Sequence, residues 1–353
     1  MSEDGWIPRE MILGVEAEAK VPAEFIVQRT NVANPPSIFY IVDQMLGDKN
    51  LVEKHGTILA GIYRRLEAWY RWLLKSQAGK KKGTFRWRGR NATTTLELNP
   101  KVLASGLDDY PRASHPSQEE YHLDLRCWLA LSSRVMDRLA HLYEDEKYRN
   151  KYASDASLLG NYDDLVRLHW SDSKKAFFDY GKHSENVRLV KKPLKDLPDQ
   201  FCFERLTVQE PRLGFVEDVF GYNSLFPLML KLLPAESEQL SHTLTKLMDP
   251  ECGTWAIDEA GDTTDTYIWI NINYMVLSAL KHYGSLPGPN QATSRNAFFE
   301  LKKNLVNNMA KEFERTGYIW ENYDDVSGHG RGSHPFNGWS SLILLIMSDD
   351  MQA

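Results

Sequence analysis

Cysteine is scarce in this chain. Three in 353 residues (Cys127, Cys202 and Cys252) cannot build a disulfide framework or supply a thiolate zinc site. Cys127 sits in the apolar stretch LDLRCWLAL and reads as a core residue, which leaves a Cys202–Cys252 bridge as the one pairing open. Long apolar runs are also lacking. The longest, LILLIM at 342–347, falls far short of the ~20 residues that a membrane helix needs. The opening MSEDGWIPRE is polar and carries a proline, unlike a signal peptide. Positive charge is not in excess: 42 Lys and Arg face 48 Asp and Glu, for a net charge of −6. The basic run GKKKG at 79–83 is short and reads as a solvated loop, so a nucleic-acid partner is excluded. His329 and His334 flank a glycine-rich loop without H-E-x-x-H or similar spacing, so no metal is implied, and neither is any other cofactor.

What the chain does have is aromatics and helical periodicity. Ten Trp, sixteen Tyr and fourteen Phe supply faces suited to sugar rings as well as to a core. Segments 51–77 and 117–144 place apolar residues three and four apart, with Ser117 and Glu120 reading as a capping box. Further helices are expected near 35–47, 156–168, 216–233, 235–248, 269–283, 294–315 and 336–349. Alternating β patterns are nearly absent; RLVKKPLKDL at 188–197 is at best a short strand or a loop. Long loops at 83–116, 170–215, 250–268 and 317–335 hold Gly, Asp, Pro and aromatics, and loops of that length are usually functional. The pattern suggests an all-α toroid of helical hairpins with a site built from loops. No glycine-rich linker divides it, so a single domain over 1–353 is expected.

Two of those loops are acidic: SGLDDYPRASHPS at 105–117 and GYIWENYDDVSGHGRG at 317–332. Glycosidic bonds are cleaved between two carboxyl groups, one giving its proton to the leaving oxygen, the other activating water or attacking the sugar. A helical toroid can bring such distant loops together. Composition and spacing lead as far as a carbohydrate-active α/α enzyme.

The ordered blocks DGWIPREMILGVEAEAK, FRWRGR, LNPKVLASGLDDYPRASHPS, HLDLRCW, DVFGYNSLFPLML, WININY, TGYIWENYDD and HPFNGWSSLILL go further. Together they resemble the C-terminal catalytic domain of the processing α-glucosidase I family, glycoside hydrolase family 63. The resemblance implies an (α/α)6 toroid and an inverting hydrolase. Such an enzyme removes the terminal α-1,2-linked glucose of the Glc3Man9GlcNAc2 N-glycan precursor in the endoplasmic reticulum lumen. Its partner is the N-linked oligosaccharide on nascent glycoproteins. The general acid then falls on Asp108 and the general base on Glu321, with their carboxyls roughly 6.5–9.5 Å apart as inversion requires. Arg9 and Glu10 fall on the sugar-binding stretch, and Asp109 is read as the acid's neighbour at the substrate. Trp87, with Arg86 and Arg88, either lines the cavity or makes structural contacts; Tyr267 and Trp339 complete the substrate-binding set.

Against that family the chain starts late: the membrane anchor, the N-terminal β-sandwich domain and the first toroid helices have no counterpart, so an incomplete ring is expected. A Y-W-R-G segment before WININY is replaced by DEAGDTTDTY, where only Tyr267 offers a partial substitute. The alternative reading is therefore a weak or silent remnant that binds glycan or protein, and a trehalase-like enzyme is a third. The sequon Asn91-Ala92-Thr93 is a glycan acceptor only along a secretory route.

Overall fold

The computed structural model describes residues 1–21, 26–90, 100–108, 110–194, 197–218, 220–249 and 267–349. Asp109, Asn91 and Cys252 lie outside the described residues. The chain divides into two compact units. The first comprises Met1–His169 with Asp179–Val216, and the second Trp170–Phe178 with Glu217–Ala353.

In the first unit, α1 (Val15–Lys20) is a short exposed turn of helix. Helices α2 (Ser37–Gly47), α3 (Lys49–Ser76) and α4 (Leu123–Leu142) pack on one another, and α5 (Arg149–Leu159) lies along α4. Asp48 starts α3 by accepting hydrogen bonds from the backbone N–H of Asn50 and Leu51 at 2.8 and 3.3 Å. The α3 stripe Leu59, Tyr63, Leu66, Trp69, Tyr70 and Leu73 is buried, as its three- and four-residue spacing predicts. Helix α4 buries nearly every side chain of its first three turns, polar ones included. The helix expected over 156–168 is two: α5 ends at Leu159, and α6 (Tyr162–His169) follows Gly160.

The capping box read at Ser117 and Glu120 does not start a helix. Ser117 Oγ accepts from Glu119 N–H, Arg90 takes the Glu120 carboxylate, and α4 begins only at Leu123. The near-absence of strands is likewise corrected. After the small pair β1 (Trp170–Ser171) and β2 (Ala176–Phe177) come four strands of the first unit. Strand β3 (Tyr180–His183) pairs antiparallel with β6 (Arg212–Phe215), while β4 (Val187–Leu194) and β5 (Leu197–Thr207) form a hairpin. Their pairing supplies a backbone ladder that local alternation did not announce. Strand β3 also joins the 110–121 segment: His115 N–H donates to Lys182 O, and Tyr121 and Tyr180 exchange backbone bonds at 2.9 and 3.1 Å.

The second unit contains β1 and β2, α7 (Phe226–Met229), α8 (Glu238–Leu247), α9 (Ile270–Ser285), α10 (Gln291–Thr316) and α11 (Ile343–Ser348). Ser237 caps α8 through Leu240 N–H. The helix expected over 216–233 contracts to a 3-10 turn, Tyr222–Leu225, followed by α7. Helices α9 and α10 pack together, with α11 against both. An antiparallel sheet crosses the far end of α10: β7 (Tyr267–Ile268), β8 (Asn322–Asp324) and β9 (Gly330–Arg331), with Tyr267 opposite Asp324 and Tyr323 opposite Gly330.

Candidate active site

The two acidic loops fall in different units, and each builds its own surroundings. Around Asp108 the chain makes a 3-10 turn, Leu103–Ser105, and then reverses. Ser105 Oγ donates to Val102 O at 2.7 Å and accepts from Leu107 N–H at 3.1 Å, while Tyr110 N–H donates to Leu107 O across Asp108. The Asp108 side chain is about one-third exposed, and its Oδ2 lies 3.3 Å from Arg9 Nη2. The structure therefore brings together two of the expected site residues, Asp108 and Arg9. Glu10 is held through its backbone, which both donates to and accepts from the Gln28 side-chain amide; its own side chain is exposed.

Trp87 occupies the other of its two expected roles. It has no accessible surface, its indole N–H donates to Asp124 Oδ2 at 3.0 Å, and its backbone N–H donates to His122 Nδ1 at 3.0 Å. No face is left for a sugar ring. Arg88 is spent on the Ser76 and Ala78 carbonyls, and Arg86 lies 3.8 Å from buried Glu120.

Helix α10 ends at Gly317 in the left-handed conformation, and the chain then runs through Tyr318 and Trp320 to Glu321. Glu321 is clamped at every backbone atom that can bond. Its N–H donates to Ser333 O at 3.0 Å, and its carbonyl accepts from Trp339 Nε1 at 2.7 Å and Ser340 Oγ at 3.0 Å. Side-chain Oε2 accepts from Ser333 N–H at 3.0 Å, whereas Oε1 has no protein donor among the described residues. One carboxylate oxygen is thus fixed and the other stays available to a water. Gly332 makes the fit possible: its φ is +72°, and a Cβ there would stand 2.7 Å from Glu321 Oε2.

The loop behind is tied by charge. Asp324 accepts from Ser327 N–H and Oγ at 2.7 and 2.6 Å and pairs with Arg331 at 2.8 Å. These bonds hold its carboxyl down to about 2. Glu312 of α10 accepts from Gly330 N–H and from Arg315. His334 packs tilted against Trp320 with ring centres 3.7 Å apart.

Tyr267 and Trp339 are linked through a residue that sequence reasoning passed over. Trp269 lies 6.4 Å from Tyr267 and 5.6 Å from Trp339, and Phe336 continues the row 4.8 Å beyond Trp339. Its signal was present, since Trp269 opens the WININY block. A cleft of about 490 Å³ in this unit is lined by Ile268, Leu305, Met309 and Tyr323, without Glu321 or Trp339.

The model of the glycosyl hydrolase family 63 C-terminal domain matches residues 1–257 and 261–349. The chain belongs to glycosyl hydrolase family 63. It is 40% identical to a mannosyl-oligosaccharide glucosidase of Arabidopsis thaliana, over 98% of this chain and 44% of that protein. It is 37% identical to alpha-glucosidase 2 of the same plant (99% and 48%). With the mannosyl-oligosaccharide glucosidase of Saccharomyces cerevisiae it shares 30% identity (98% and 45%). The chain thus spans about half the length of these curated relatives. Among solved structures, the family 63 mannosylglycerate hydrolase of Thermus thermophilus in complex with glucose superposes with a TM-score of 0.62. That match has 16% identity and covers 99% of this chain and 84% of the other. At that identity the likeness speaks for the fold, and the helical class expected from the sequence agrees with it.

Proposed function

We propose that this chain is the catalytic portion of an inverting α-glucosidase that removes the terminal α-1,2-linked glucose from Glc3Man9GlcNAc2 on nascent glycoproteins. The lumen of the endoplasmic reticulum is its place of action. Asp108 protonates the glycosidic oxygen; Glu321 takes a proton from a water that attacks the anomeric carbon from the opposite face. The bond from that carbon to the leaving oxygen breaks as the bond to water forms, and glucose is released with inverted configuration. The observation that carries the reading is the setting of Glu321, with one oxygen anchored by Ser333 N–H and the other without a protein donor among the described residues. Identity of 30–40% to mannosyl-oligosaccharide glucosidases supports the substrate. Arg9 beside Asp108 supplies a donor for sugar hydroxyls. Trp269 and Trp339 offer ring faces beside the base.

The test is glucose release from a triglucosylated glycan and from an α-1,2-diglucoside, with the first-formed anomer read by proton NMR. β-Glucose as the initial product is expected. Retention of full activity in both Asp108→Asn and Glu321→Gln would falsify the pair. A second reading, a glycan-binding remnant without turnover, is favoured by one observation: the missing Y-W-R-G segment ahead of Tyr267. Calorimetric binding of the glycan by a chain that releases no glucose selects it.

A further inference from the structure

Four residues beyond Asp108, Arg112 is buried to 1% exposure in a cluster of charges that the reaction does not use directly. Its guanidinium is held from two elements. Asp124 of α4 takes Nη1 and Nη2 at 3.1 and 2.8 Å, and Asp179, just ahead of β3, takes Nη1 at 2.8 Å. Both aspartates are buried as well. Asp179 Oδ1 also accepts Leu123 N–H at 2.8 Å, so the first turn of α4 is part of the same assembly. Asp124 Oδ2 accepts the Trp87 indole N–H.

The same cluster reaches the acid turn from two sides. The Tyr110 ring centre lies 5.6 Å from the Arg112 guanidinium carbon, and Tyr110 N–H closes the turn around Asp108. Beyond Arg112, Arg90 donates to Ala113 O at 2.6 Å and Pro100 O at 2.9 Å, and its charge is met by Glu120. Ser114 N–H donates to His183 Nδ1. Every residue from Tyr110 to His115 except Pro111 is thus named in a contact with this assembly or with β3.

A buried ion cluster is a poor device for stability alone, because hydrophobic groups of equal volume often stabilise as well or better. It is a good device for direction. A planar guanidinium gripped at two points by one carboxylate and at a third by another has little freedom to tilt. We propose that Arg112, fixed by Asp124 and Asp179, is a positioning residue that sets the Asp108 turn and hence the line of proton delivery to the leaving oxygen. The inference rests on the reading of Asp108 as the acid.

The experiment separates proton delivery from the rest of catalysis. In α-glucosyl fluoride, C1–F breaks with fluoride taking the bonding pair, so no acid is needed, while the water still needs Glu321. The full chain and its Asp124→Asn and Arg112→Lys variants are assayed on that fluoride and on an α-1,2-diglucoside. Arg112→Lys keeps the charge and loses the fork, and it serves if Asp124→Asn does not fold. We expect each variant to lose kcat on the diglucoside by a factor ~10–100 larger than on the fluoride, the scale of a misplacement near 1 Å. Equal losses on both substrates, or none, overturn the inference and leave the glycosidase reading standing. A wild-type chain inert toward both substrates, or a Glu321→Gln variant as active as wild type on both, overturns that reading and this inference with it.

Discussion

Asp108 follows a turn whose continuation is held by buried charge, whereas Glu321 is held by main-chain groups and a ring. In the first unit, Arg86, Arg90 and Arg112 face Glu120, Asp124 and Asp179. One arginine cannot satisfy two carboxyls equally. Burial raises Asp124, with Arg112 opposing; burial also works against ionisation of Asp179, yet Arg112 and His122 outweigh it and hold that carboxyl well below the usual range. In the second unit the clamps are Ser333, Ser340 and Trp339, none of them charged, and a glycine supplies the clearance. The difference teaches that two carboxyls proposed to have complementary duties can be placed by unlike means. A charge cluster sets direction through strong bonds that are costly to break, and a backbone clamp sets position through many weak ones.

The largest expected effect removes the chemistry itself. Glu321→Gln keeps shape and most of the clamp, since the bonds to Ser333 O, Trp339 and Ser340 are made by backbone atoms. General acid–base groups contribute roughly 10²–10⁴-fold. A loss of kcat on that scale, with the melting temperature near that of wild type, is expected from kinetics beside differential scanning fluorimetry. A large drop in melting temperature would show that the carboxylate is structural as well.

Next comes Gly332→Ala set against Gly317→Ala. Both positions have positive φ, +72° and +76°, so both variants pay about 1 kcal/mol of backbone strain. Around Gly317 a Cβ meets nothing within 4 Å, whereas at Gly332 it meets the Glu321 carboxylate at 2.7 Å. A displacement near 1 Å costs ~100-fold in rate. Gly332→Ala should therefore lose ten- to a hundredfold in kcat/KM where Gly317→Ala loses almost none. Equal kcat/KM in the two variants would show that the glycine does not position the base.

How much of this was legible in the sequence differs by element. Helices α3, α9 and α10 were, because an apolar stripe at helical spacing is a local signal that burial then enforces. The β4–β5 hairpin was not. Its two strands are neighbours in sequence, but Val190-Lys191-Lys192-Pro193 has no period-two face to announce them. Ser117 and Glu120 had the right spacing for a cap, but a buried arginine, Arg90, drew the glutamate into the charge cluster. Asp108 and Glu321 were picked out by resemblance, not by composition. The fork at Arg112 was silent, since an arginine between prolines and a histidine reads as a solvated loop until two distant aspartates meet it.

Trp87→Phe addresses the two roles that the sequence left open for that residue. The phenyl ring nearly fills the space but cannot donate to Asp124, which leaves a buried carboxylate short of one partner at a cost of about 1–3 kcal/mol. We expect lower stability in urea denaturation with KM for the diglucoside unchanged. A raised KM with unchanged stability would return Trp87 to the sugar.

The smallest effect sharpens the comparison through pH. His122 is buried beside the first unit's cluster and accepts Trp87 N–H on Nδ1. Burial drives its pKa well below the ordinary value, with Asp179 opposing and Arg112, Arg90 and Arg86 adding to the depression. In the unfolded chain the ring takes a proton near pH 6.5. Below that pH the unfolded state binds more protons than the native one, so the stabilisation is complete above about pH 6.5 and drains away as pH falls. Between about pH 6.5 and 5 the stability should therefore fall as the pH is lowered. Asp324 in the second unit contributes in a lower window, since its carboxyl is held to about 2 and stays ionised through this range. Urea denaturation at pH 5 and pH 7 should thus show a pH-dependent fall in the wild type that His122→Gln largely abolishes. The amide keeps an acceptor for Trp87 N–H without a titrating group. An identical fall in the variant would mean that the acid sensitivity comes from groups other than His122.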